Sequence, residues 1–99
     1  MILVVGTFRL PPEALAAALP MAQRVVEATR AEDGCYAYSY AQDLFDPGLI
    51  HVSEKWRDRE ALAAHFKSAH MQAWMAERAG LDLSDRDIRV FESDEGVAV

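Results

Sequence analysis

The chain opens on Met1-Ile2-Leu3-Val4-Val5-Gly6-Thr7-Phe8-Arg9 and is stopped at Pro11-Pro12. β-Branched and aromatic residues make this run a strand, and the two prolines end it by removing backbone donors and restricting the residue before each ring. Strand one therefore ends near Leu10. Successive strand side chains point to opposite faces, so Ile2-Leu3-Val4-Val5 is apolar on both. A sheet that left one face in water would alternate more cleanly here. Both faces need a cover, and a chain of 99 residues has only one core to offer. A second copy of the chain is the simplest second cover, and it also relieves the modest stability of so small a domain.

The remaining elements follow from period and punctuation. Leu15, Leu19, Ala22, Val26 and Thr29 draw a helical stripe, in which Pro20 predicts a kink or a division into two pieces. Gly34 supplies the left-handed exit. Cys35 to Gln42 alternates, with Tyr36, Tyr38 and Tyr40 on one face, and reads as strand two. Asp46-Pro47-Gly48 is a turn in which proline presets φ and glycine is expected to accept positive φ. Leu49 to Trp56 is strand three, with Ile50, Val52, Glu54 and Trp56 sharing a face. Asp58 caps a second helical region from about Arg59 to Arg78, with Ser68 as a point where it can break. Asp87 to Ser93 is the last strand. The order is βαββαβ, the ferredoxin-like α+β arrangement of an antiparallel sheet under two helices. Residues 1–93 form the domain and 94–99 a short C-terminal tail.

Composition excludes several classes. Sixteen acids against ten bases give a net charge of −6, which repels nucleic-acid backbones and anionic membrane surfaces. Cys35 is the only cysteine, so there is no disulfide within the chain and no cysteine metal cluster, a usage that fits a reducing cytoplasm. The N-terminus lacks the basic segment and the long apolar run of a secretory signal.

Glu32-x-Gly34-Cys35-x-x-Tyr38, Asp46-Pro47, Glu54-x-Trp56-x-Asp58-x-Glu60-Ala61-Leu62 and His65-x-x-Ser68-x-His70 together resemble the antibiotic biosynthesis monooxygenase family, in particular its small quinol-monooxygenase-like members. The resemblance covers nearly the whole chain. It implies a dimeric α+β barrel and the oxidation of phenolic, quinol-like or polyketide-like molecules by dioxygen without flavin, haem or metal. Relatives that degrade haem use a first-strand asparagine, a helix tryptophan and a haem-ligating histidine. This chain has no asparagine, and those two helix positions fall on His65 and Met75. Relatives that isomerise a phosphorylated autoinducer share the strand-three glutamate and the histidine spacing, and they remain an alternative, as does a non-catalytic small-molecule-binding dimer.

Dioxygen is a triplet and reacts slowly with closed-shell molecules, so a protein without a cofactor must turn its substrate into an electron-rich anion. That takes a base near neutral pKa, a donor for the oxyanion and a dry aromatic cavity. His70 is the first candidate base, because it follows Phe66 by four residues and precedes Trp74 by four, on one aromatic stripe if the helix is continuous. A core histidine bonded to backbone is the alternative. His65 is the second candidate, with a helix-end residue as its alternative. On one continuous helix His65 and His70 stand about 140° apart, which argues against a shared metal. Glu54 needs a partner in its apolar setting. Trp56, Tyr38, Phe66 and Trp74 complete the expected substrate wall, each with simple packing as the competing role.

Overall fold

The computed structural model describes all residues, Met1–Val99. Its strands are β1 (Ile2–Arg9), β2 (Cys35–Gln42), β3 (Leu49–Trp56) and β4 (Ser84–Glu92). They pair antiparallel in the order β2-β3-β1-β4. The helices are α1 (Leu15–Arg30), entered through a short 3-10 turn at Pro12–Ala14, then α2 (Arg59–Lys67) and α3 (Ala69–Arg78). This is the ferredoxin-like α+β fold expected from the element order.

One face of the sheet carries the core. Ile2, Val4 and Phe8 from β1, Tyr38 from β2, and Ile50, Val52, Glu54 and Trp56 from β3 are buried against Ala18 and Val25 of α1, Leu62 of α2, and Met71 and Trp74 of α3. The opposite face holds Leu3, Val5, Thr7, His51, Ser53, Lys55, Arg89 and Phe91 at paired register positions, with Val5 and Phe91 exposed.

Several expectations are corrected. Pro20 neither kinks nor divides α1, which runs unbroken from Leu15 to Arg30. The lost hydrogen bond would have ended on the carbonyl of Ala16, and Ala16 and Pro20 are both exposed, so that carbonyl is left open to solvent rather than buried unpaired. Leu19 lies outside the buried stripe, in which Thr29 falls as expected but Ala18 and Val25 are the other fully buried positions. Tyr36 does not join Tyr38 and Tyr40. A register shift between Cys35 and Ala37 turns it out to solvent. β4 starts at Ser84, three residues before the expected Asp87. Gly48 is not among the positive-φ residues. A Cβ there would lie 2.8 Å from the carbonyl oxygen of Leu10, so close backbone approach is what demands glycine. Gly34 does have the expected left-handed conformation, at φ 81°.

Ser68 is where the second helical region breaks. Its backbone is extended (φ −67°, ψ 150°), its hydroxyl accepts from the Met71 amide and donates to the His65 carbonyl, and it thereby closes α2 and caps α3. The two histidines of the motif therefore sit on different helices.

Candidate functional site

The helix-facing side of the sheet has a wet-chemistry end and an apolar end. At the first, the left-handed turn at Gly34 follows α1 and brings Glu32 over the junction of α2 and α3. His65 Nδ1 lies 2.6 Å and His70 Nε2 2.8 Å from the same Glu32 oxygen, Oε2. His65 is 1% exposed, and its ring is packed by Trp56 at 4.9 Å, Tyr38 at 5.3 Å and Phe66 at 5.4 Å between centroids. Burial lowers its pKa from the ordinary histidine range, against the raising effect of Glu32.

The premise that put His70 on a Phe66–Trp74 stripe fails with the helix break. Its side chain is 26% exposed and turned to Glu32. The 140° argument against a shared metal fails for the same reason, since the two histidines do converge. Phe66 is exposed and touches the group only through His65.

Beside this cluster, Glu54 stands directly across from Tyr38 in the sheet and is 8% exposed. It accepts from the Trp56 indole Nε1 at 2.9 Å, its one hydrogen bond. Burial pushes its carboxyl up to about 7, and the indole hydrogen bond only partly opposes this. An apolar strand face predicts a charged partner for Glu54. The structure gives it no cationic contact.

At the apolar end lies a cavity of about 470 Å³ between β1, β2, β3 and the first half of α1, lined by Phe8, Leu10, Leu15, Tyr40, Ile50 and Trp74 among others. Trp74 is 1% exposed, and its buried indole Nε1 makes no hydrogen bond of full geometry, though it lies close enough to the Tyr40 hydroxyl to lower that group's pKa. Neither histidine lines this space. Two tyrosines connect the ends: Tyr40 lines the cavity, and its hydroxyl is 2.8 Å from that of Tyr38, whose ring packs on Trp56 and His65. Burial raises both tyrosine pKa values, and the nearby Glu54 charge pushes them further up. Arg78, half-buried at the end of α3 with no acid among its influences, pulls them back toward normal. The Glu32 cluster and the Tyr40 bridge were not picked out in the sequence. Glu32 lies 33 and 38 residues from its partners, beyond any periodic signal, and only the Glu-x-Gly of the family pattern marks it.

The fold and this arrangement define a small α+β domain of a known class. The sequence pattern of the antibiotic biosynthesis monooxygenase family matches residues 1–77, and the chain belongs to that family. It is 30% identical to YcnE of Bacillus subtilis, named as a candidate monooxygenase, over 96% of this chain and all of that protein. It is 26% identical to sll1783 of Synechocystis, a protein of uncharacterised activity, over 95% of this chain but 64% of that longer one. Among solved structures, a Deinococcus radiodurans protein described as a candidate antibiotic biosynthesis monooxygenase superposes with a TM-score of 0.91 at 26% identity, covering all of this chain and 98% of that one. No helix here is long and apolar enough to cross a membrane.

Proposed function

We propose that this protein is a cofactor-independent monooxygenase, acting on a phenolic, quinol-like or polyketide-like molecule with dioxygen, in which Glu54 is the final proton acceptor. The observation that carries this reading is a buried carboxyl at about 7, without a cationic contact, whose cross-strand neighbour Tyr38 is hydrogen-bonded to Tyr40 in the wall of an apolar cavity. A base tuned to near the working pH is what proton abstraction needs. The expected base was a histidine, but both histidines are engaged by Glu32 and stand away from the cavity.

The substrate enters beside Tyr40 and Trp74, whose rings line the cavity. Its hydroxyl proton moves to Tyr40 while Tyr40 passes its own to Tyr38, and Tyr38, the cross-strand neighbour of Glu54 but not hydrogen-bonded to it at rest, turns to pass its own on. The raised tyrosine pKa values suit this role, because the hydroxyls hand on protons without remaining ionised. Arg78 acts on the relay rather than on the substrate, its charge favouring the developing negative charge on the two tyrosines. The substrate anion gives one electron to dioxygen, the resulting radical and superoxide combine into a peroxide anion, and the proton held on Glu54 returns through the tyrosines to make it a hydroperoxide, leaving Glu54 ionised again. Loss of water from the hydroperoxide leaves the new carbonyl. Tyr38, Trp56 and His65 hold this machinery in place rather than touch the substrate, and Phe66 covers His65 from outside.

The test is oxygen consumption with a reduced naphthoquinone, less the protein-free rate at each pH. Glu54→Gln should lower the enzyme-dependent rate by on the order of 10² to 10⁴, and the wild-type rate should rise with pH through about 7, as Glu54 ionises. If Glu54→Gln is fully active while His65→Gln or His70→Gln is not, a histidine is the base. If none of the three matters, the reading as a binding module gains. The uncovered sheet face, with Val5 and Phe91 exposed, supports a homodimer closed sheet to sheet, and the lone cysteine fits work in the reducing cytoplasm. Sedimentation at micromolar concentration should give about twice the chain mass, and a monomer of 11.0 kDa would remove the barrel from this account.

A further inference from the structure

The proton path leaves one group of titratable side chains unused. We infer that Glu32, His65 and His70 form a site for a divalent first-row transition cation of the zinc class, bound through two imidazole nitrogens and one carboxylate oxygen. The three donor atoms come from three segments, yet all lie within 4.8 Å of one another. Zinc-type bonds of about 2.0–2.2 Å in tetrahedral geometry space their donors roughly 3.3 Å apart. The two nitrogen–oxygen separations of 2.6 and 2.8 Å therefore have to open slightly as the ion replaces the shared protons.

The scaffold permits that adjustment and little more. His65 is fixed among Trp56, Tyr38 and Phe66, and Glu32 is held by the turn at Gly34, whose missing Cβ would stand 2.7 Å from that of Ala61. His70 is the freer ligand, at 26% side-chain exposure, and can swing to close the site. The extended backbone at Ser68 is what makes convergence possible. On an unbroken helix a residue five positions on would point away.

Donor type selects the ion. Two imidazoles and one carboxylate suit zinc, cobalt, nickel or iron(II), whereas magnesium and calcium favour all-oxygen shells. Three protein ligands leave a fourth position for water on the side where Glu32 and His70 reach the surface. The ion would tie the α1–β2 turn to the α2–α3 junction, so binding should be read as stability. This inference does not rest on the proposed reaction, and its test does not read oxygen consumption.

The probe is Co²⁺, titrated into chelator-treated protein and followed by its visible ligand-field bands and by thermal melting. One ion per chain and a rise in melting temperature are expected. Glu32→Gln and His70→Gln should each weaken binding by on the order of 10²-fold or more, since even outer-shell partners are worth 10–100-fold. His51→Gln, at the exposed His51–Asp43 pair, should leave binding unchanged. Absence of the bands at millimolar Co²⁺ overturns the site. So does binding that survives both ligand substitutions, or that disappears with His51.

Discussion

The two ends of the helix-facing sheet surface are built from the same strands and carry opposite chemistry. Around Phe8, Ile50 and Trp74 the layer leaves a cavity whose only polar side-chain groups are those of Tyr40, Gln42 and the Trp74 indole. Around Tyr38, Glu54 and Trp56 the same layer is filled, and three ionisable groups from elsewhere in the chain are packed on it. The residue two places along each strand decides which it is: Ile50 and Val52 give way to Glu54 on β3. A binding volume and a titrating group are thus kept about one tyrosine pair apart. Neither has to compromise the other. A carboxylate inside the cavity would be costly to ionise, and a void beside Glu54 would admit the water that keeps carboxyl pKa values low.

The largest test of this division is the link itself. Tyr40→Phe keeps the ring in the cavity wall and removes only the hydroxyl. If protons cross between the ends through it, the oxygen-consumption rate should fall by on the order of 10² to 10⁴, while affinity for a non-reacting aromatic ligand changes little. Folding stability should fall by about 1–3 kcal/mol, because the Tyr38 hydroxyl loses its partner in a buried site. An unchanged rate would separate the two ends functionally and remove the relay.

A smaller effect, on stability alone, isolates the polar end. Glu54 has a folded pKa of about 7 against 4.5 for the unreacted side chain, so the folded state binds its proton more tightly than the unfolded state. The unfolded chain releases that proton first, and stability therefore falls as pH rises from about 4.5 to about 7, then levels. Full burial of a shift this size corresponds to about 3 kcal/mol. Denaturation of Glu54→Gln beside wild type across that range should show the difference between them growing in favour of the variant as pH rises. A constant difference would mean that Glu54 is ordinary, and the base would have to be sought elsewhere.

The legibility of the molecule divides along the same line. The bounds of β2 and β3 follow from alternation and from Asp46-Pro47-Gly48, and the apolar end follows from them, because burial of Ile50 and Val52, with Tyr40 half-buried beside them, is a local consequence of period two. The polar end resisted. His65 and His70 were visible as a motif, but their relation depended on whether the backbone passes Ser68 as helix, and that is decided by hydrogen bonds from one hydroxyl to two backbone groups. Tyr36 shows the same limit: a one-residue bulge moves it off the face it was assigned. Glu32 was legible only through family likeness, since nothing within a strand or helix period links it to either histidine.

Ser68 therefore offers the finest cut between the ends, and the smallest expected effect. Its hydroxyl accepts from the Met71 amide at 3.2 Å and donates to the His65 carbonyl at 2.6 Å. Ser68→Ala leaves the α3 amide without its cap, a loss of about 1 kcal/mol. Ser68→Asp supplies the acceptor again, but it cannot donate to the His65 carbonyl when ionised. If capping is the whole role, Asp should recover most of the lost stability in urea denaturation. If the bond to His65 also matters, Asp should recover the stability but still show faster amide exchange at the end of α2, because that carbonyl is the one that fastens the helix to the break. Affinity of the cavity for an aromatic ligand should be the same in all three proteins, since Ser68 is not part of its wall. A change there would mean that the two ends are mechanically coupled and that the separation between them is less complete than their chemistry.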